Sequence, residues 1–203
     1  MYRWVLAFSR ILAVAGGVML CALVMLVVLS VIGRESAAFL AGDFMQTHAE
    51  GLADWLLSLR APGPFGDLRI GPVTGDYELV EAGMAFAIFA FLPLTQLTSG
   101  HAVVDLFTRF LPPRVERVLI MLAEVVFALV LIVIVAQLFE GLAAKFKRGQ
   151  TTFLLQMPIW WAYAASFFGA VSAALVGVYV AAARLWEILT GAVILPRVEG
   201  AEV

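Results

Sequence analysis

Four uninterrupted apolar stretches constrain this sequence most, because each is long enough to cross about 30 Å of hydrocarbon at about 1.5 Å per helical residue. They run over 11–32, 79–98, 118–139 and 159–183 of the 203 residues. The first and fourth hold no charged residue, the second carries Glu81 near its start, and the third carries Glu124 six residues in. Inside a bilayer the backbone amides and carbonyls have no water to bond, so each stretch must satisfy them within a helix. The expected fold is an all-α integral membrane protein: a single membrane domain over 1–203, built as a four-transmembrane-helix bundle. Aromatic residues stand where interfacial belts would lie: Tyr2, Trp4, Tyr77, Trp160, Trp161 and Trp186.

Composition closes off several classes of function. With 63% apolar and 14% charged residues, the chain departs far from the roughly 45–50% and 25% of soluble domains. A net charge of −2 leaves no basic face for a run of phosphates, so nucleic acid is not an expected partner. Cys21 is the single cysteine, and with only His48 and His101 beside it neither an intrachain disulfide nor a zinc-ligand cluster can be assembled. No metal or cofactor is expected. Arg3 and Arg10 precede the first stretch as they would a signal peptide, but its 22 uncharged residues exceed the roughly 7–15 of a signal core. It reads as a retained anchor.

Lys and Arg set orientation. With the N-terminus inside, the inner segments hold seven of them and the outer segments six. Three of the six are spread over 33–78, a segment of 46 residues with seven acids that reads as translocated. Both termini are therefore expected in the cytoplasm. Within this first loop, Thr47 and Glu50 have capping-box spacing, and Leu52, Trp55, Leu56 and Leu59 follow at helical spacing. A short amphipathic helix is expected over about 48–60, stopped by Pro62, Gly63, Pro64 and Gly66. It would lie on the membrane surface or on a partner, or pack back on the chain's own spans.

Several residues invite a chemical reading. Glu124, an acid at membrane depth, is either a proton or cation relay or a carboxylate that bonds a neighbouring helix. The packing role fits better, since a relay needs further acids or histidines at depth and the chain offers only Gln137 there. Glu78 and Glu81 share a face at the start of the second span, where the helix dipole favours acids. His101 and Asp105, four apart, would pair on one helical face after that span, where a local hydrogen bond at a helix start explains them better than a substrate site. Pro93 is expected to kink the second span. On the fourth span Ala165, Gly169, Ala173, Gly177 and Ala181 form a ladder of small residues, with Ala162, Ser166, Ala170 and Ala174 as a second ridge beside it. Such ridges let helix backbones approach closely, so this span is expected to be buried against another helix of this chain or of a partner.

Three stretches together point to a family. Residues 75–81 read Gly-Asp-Tyr-Glu-Leu-Val-Glu; Leu92-Pro93-Leu94-Thr95-Gln96 runs into Ser99-Gly100-His101-Ala102-Val103-Val104-Asp105; and Gly149-Gln150-Thr151-Thr152 leads through Leu155-Gln156-Met157-Pro158 to Trp160. In a frame of four spans this resembles the small membrane subunit, the DctQ-like component, of tripartite ATP-independent periplasmic (TRAP) transporters. Two departures are visible: Thr98, Ser99, Ala102 and Val103 stand where the family often has basic residues, and the first loop is long. The resemblance implies a non-catalytic subunit of the bacterial inner membrane that holds a larger permease subunit. That subunit works with a periplasmic substrate-binding protein and takes up a small organic acid on an ion gradient, usually sodium. Glu78, Glu81, Gly100, His101, Asp105, Thr151 and Pro158 would then be motif or partner-interface residues. The alternative from the residues alone is a stand-alone channel or proton-conducting subunit using Glu124; a membrane enzyme would need a nucleophile–base pair or metal cluster at matching depth.

Overall fold

The computed structural model describes residues 2–42, 47, 51–52, 55–56, 58–63, 66–69, 71–98 and 113–190. Four helices hold the expected spans: α1 (Tyr2–Leu40), α2 (Asp76–Leu97), α3 (Pro113–Arg148) and α4 (Trp160–Thr190). All four are long and apolar enough to cross a membrane.

Three of them overrun the apolar stretches that announced them, reaching 39, 36 and 31 residues in α1, α3 and α4. Charged residues such as Arg34 or Lys145 end a hydrophobic run but are good helix formers, so the helix continues until the backbone is broken. Pro113 starts α3, and Gly149 ends it in the left-handed region at φ 59°. Gly75, at φ 76°, precedes α2. At about 1.5 Å per residue α1 is roughly 58 Å long, so part of it stands clear of the hydrocarbon.

The helices pack α1 on α2, α2 on α4 and α3 on α4. α1 and α2 run antiparallel, with Gly16 against Ala90 and Gly83 against Leu23. α2 and α4 run parallel, with Gly169 against Phe89 and Gly177 against Gln96. α3 returns antiparallel to α4: Leu131 clusters with Ala173 and Ala174, and Gly141 faces Tyr163. One end of the bundle, the loop end, therefore carries the α1–α2 and α3–α4 connections, and the other carries the start of α1 and the end of α4. At that termini end Tyr2, Val5 and Leu6 pack on Leu97, Val176, Val180 and Ala183. α4 is the hub, with 50% of its most apolar window buried against 17–22% in the other three helices. Large apolar side chains such as Ile11, Val18 and Leu175 face outward, as lipid-facing positions do.

The first loop differs from expectation in one respect. The Pro/Gly stretch read only as a helix stop is a two-stranded antiparallel hairpin, β1 (Arg60–Gly63) with β2 (Gly66–Arg69), registered from Arg60↔Arg69 to Gly63↔Gly66. Strands of four residues are too short to show a period, which is why composition alone read as loop. Of the amphipathic helix expected over about 48–60, the described residues Gly51, Leu52, Trp55, Leu56 and Ser58 are helical, as is Thr47 before it, but Leu59 is not and Arg60 already belongs to β1. Leu52 and Trp55 are 53% and 61% exposed, so these two side chains are not packed back on the spans. Glu50 lies outside the described residues.

Candidate functional site

The loop end is held by two carboxylates from the first turn of α2. Gly75 sets the entry: its positive φ suits glycine, and a side chain there would collide with Leu155. Asp76 follows. Its Oδ2 accepts the Ser30 hydroxyl at 2.5 Å and lies 3.8 Å from the Arg34 guanidinium, and Ser30 Oγ in turn accepts the Val73 amide at 3.2 Å. Ser30 is buried deep in α1, so this network fastens α1 to the start of α2.

Glu78 reaches the other way, to the α3–α4 connection. Its Oε1 accepts the Leu154 amide at 2.7 Å and its Oε2 the Leu155 amide at 2.9 Å, and the Thr152 hydroxyl and Phe153 amide are directed at the same carboxylate. The turn is closed before Glu78 arrives. The Thr152 amide donates to Met157 O at 2.8 Å, the Met157 amide to Thr152 Oγ1 at 3.1 Å, and the Ile159 amide to Gln150 O at 3.0 Å. Thr151 and Pro158 form a β-bridge across its mouth, Gln156 takes φ 57°, and Lys145 Nζ donates to Gln150 Oε1 at 2.8 Å. Successive amides aimed at one point make an anion-binding concavity, and here the anion is this chain's own side chain. The arrangement is a fastening that joins α2 to α3 and α4.

Of the candidate residues, the structure thus brings Glu78, Thr151 and Pro158 together. The helix dipole accounts for only part of Glu78, whose partners lie 76 and 77 residues away. Glu81 is exposed and stands outside the network. Gly100, His101 and Asp105 lie outside the described residues. Glu124 is buried at 8% exposure and is not without a partner. It continues the buried stripe Ala128–Leu131 on α3, the helix that packs on α4. Pro93 is buried within an α2 that runs unbroken from Asp76 to Leu97.

The ladder on α4 is internal to this chain. A methyl group on Gly169 would stand 2.9 Å from Phe89 Cβ, and one on Gly177 2.7 Å from Gln96 Oε1. Ala170, Ala173, Ala174, Ala181 and Ser166 are buried, while Ala162 is half-buried. Ala165 departs from the pattern: it is exposed, because α4 turns that first rung away from its neighbours. Ser30, Asp76 and the buried Gln96 escaped the sequence reading as functional positions; Asp76 and Gln96 lay inside the quoted stretches, but nothing in their spacing named a partner. Among the described residues no group of three or more His, Cys, Asp or Glu could hold a metal ion.

The fastening has a measurable consequence. In Glu78→Ala, amide exchange at Leu154 and Leu155 is expected to accelerate strongly, and in Glu78→Gln less so, because the amide keeps an acceptor without the charge. Exchange at Ala170–Ala174 should not change. Wild-type protection at Leu154 and Leu155 in Glu78→Ala would show that the turn holds itself.

The family model described as tripartite ATP-independent periplasmic transporters, DctQ component, matches residues 68–190, more than half of the chain. No curated protein and no solved structure matches. The matched range runs from the second strand to the end of α4 and contains Asp76, Glu78, the closed turn and the small-residue ladder. The chain therefore belongs to the DctQ family, the small permease component of the TRAP transporters.

Proposed function

We propose that this chain is the non-catalytic subunit that seats the large permease subunit in a bacterial inner membrane. The assembled complex would take up a small organic acid, delivered by a periplasmic binding protein, on an ion gradient. The family match over residues 68–190 carries this reading. The polar groups described above support it, because Asp76 and Glu78 serve packing between helices and so hold a rigid surface. A tagged copy is expected to co-purify with a larger multi-span subunit when the two are co-expressed. Recovery of the tagged chain alone under conditions that preserve the complex counts against it.

Orientation belongs to the same proposal: both termini in the cytoplasm, the loop end in the periplasm. In a Cys21→Ser background, a cysteine at Ser58 should react with an impermeant thiol reagent in intact spheroplasts and one at Ser99 should not. The reverse pattern inverts the topology.

The second reading, a conducting subunit, rests on Glu124, a buried acid at membrane depth. Its place on the stripe by which α3 meets α4 favours packing. A relay cannot lose its titrating proton, whereas a packing group can be replaced by an amide of the same shape. Glu124→Gln is therefore expected to keep most of the uptake by the assembled complex. Loss of uptake with normal expression and assembly would favour the relay.

A further inference from the structure

Large apolar side chains gather at the loop end on three helix ends and the turn between α3 and α4. Phe153 is 89% exposed, Tyr77 71%, Phe146 62%, Trp161 54% and Leu154 52%. They share one level: the Phe146 ring lies edge-on to Trp160 at 5.4 Å, Trp160 to Trp161 at 6.1 Å, and Leu154 is bonded to Glu78, the neighbour of Tyr77. Lys147 and Arg148, in the last turn of α3, are exposed beside them. The turn's own hydrogen bonds and Glu78 fix its backbone, so Phe153 is held outward by bonds that pack no side chain of its own against the bundle.

We propose that this end of the bundle is a phospholipid site, with Phe153 and Leu154 set into the membrane interface and Lys147 and Arg148 on the phosphate of an anionic phospholipid. Two observations select lipid over a protein segment. The exposed apolar groups are divided among α2, α3, α4 and the turn at one depth, as an interfacial belt is, whereas a docked segment would draw them to one helix face. Cations on flexible stems stand next to rigid aromatic groups, so that the stems can lie along the apolar layer while the charges reach phosphate.

Native mass spectrometry of the purified full-length protein, in mixed micelles with phosphatidylglycerol or phosphatidylcholine, tests this by counting retained lipid. Wild type is expected to retain phosphatidylglycerol in preference. The Lys147→Ala/Arg148→Ala variant should lose retention of phosphatidylglycerol by about 25-fold, at roughly fivefold per cation, and leave phosphatidylcholine unchanged. Phe153→Ser should lower both, and Lys147→Arg should keep both. Gel filtration and amide exchange at Leu154 and Leu155 confirm that each variant keeps its fold. Wild-type retention in the double variant overturns the proposal, as does an equal loss from Arg3→Ala at the termini end. So does a Phe153→Ser protein that keeps its lipid but no longer co-purifies with the large subunit, since the turn would then be a protein-docking element.

Discussion

Gly169→Leu is expected to lose the folded bundle, and Gly177→Leu to be damaged nearly as much. At Gly169 the first carbon of the new side chain already stands 2.9 Å from Phe89 Cβ and 3.4 Å from the Phe89 carbonyl carbon, so α2 itself must move. At Gly177 the obstacle is the buried Gln96 side chain, which is shorter of room than of flexibility. Overpacking a tight interface costs about 1–3 kcal/mol and more where backbone must shift, and α4 touches both α2 and α3. The informative control is Ala165→Leu. Ala165 belongs to the same four-residue ladder but is exposed, so the variant should elute and melt like wild type. Thermal aggregation in detergent, followed by size-exclusion chromatography, separates the cases. Equal tolerance of all three substitutions would mean that α4 does not pack on α2 through these glycines.

That control also marks where the sequence was readable and where it was not. The four spans were legible because the bilayer leaves a chain one way to satisfy about twenty consecutive backbone groups. The ladder was legible as a tendency to pack, since small residues at i, i+4 have little other use on a helix face. Its partner was not, because Gly169 says nothing about whether Phe89 of this chain or a helix of another will lie against it. The helices run on past the apolar stretches for a related reason: Arg34 and Lys145 end hydrophobicity without ending a helix, whereas Gly75, Pro113 and Gly149 act on the backbone directly. The hairpin at 60–69 was hidden by its length. Glu78 was noticed for its place in a first turn, but its task depends on amides some 76 residues away, and no periodicity connects residues at that distance. The stretches 75–81 and 149–158 were both quoted for the resemblance, but nothing in either said that they meet.

The largest functional effect is expected from leaving this chain out. If it seats the permease, its contribution is all or nothing: a large subunit without its support should not hold a competent fold, and this subunit alone should not pass a hydrated anion. Such a route needs polar groups at midplane depth to replace the water around the substrate. Here the 11–32 and 159–183 stretches carry no charge, and Glu124 is buried on the face of α3 that also carries Ala128 and Leu131. The direct measurement is uptake of radiolabelled organic acid by liposomes containing this chain, the large subunit or both, with binding protein outside and an imposed sodium gradient. Uptake is predicted with both subunits, without ATP, and at background with either alone. Substrate-specific flux through this chain alone, or full uptake by the large subunit without it, would contradict the account.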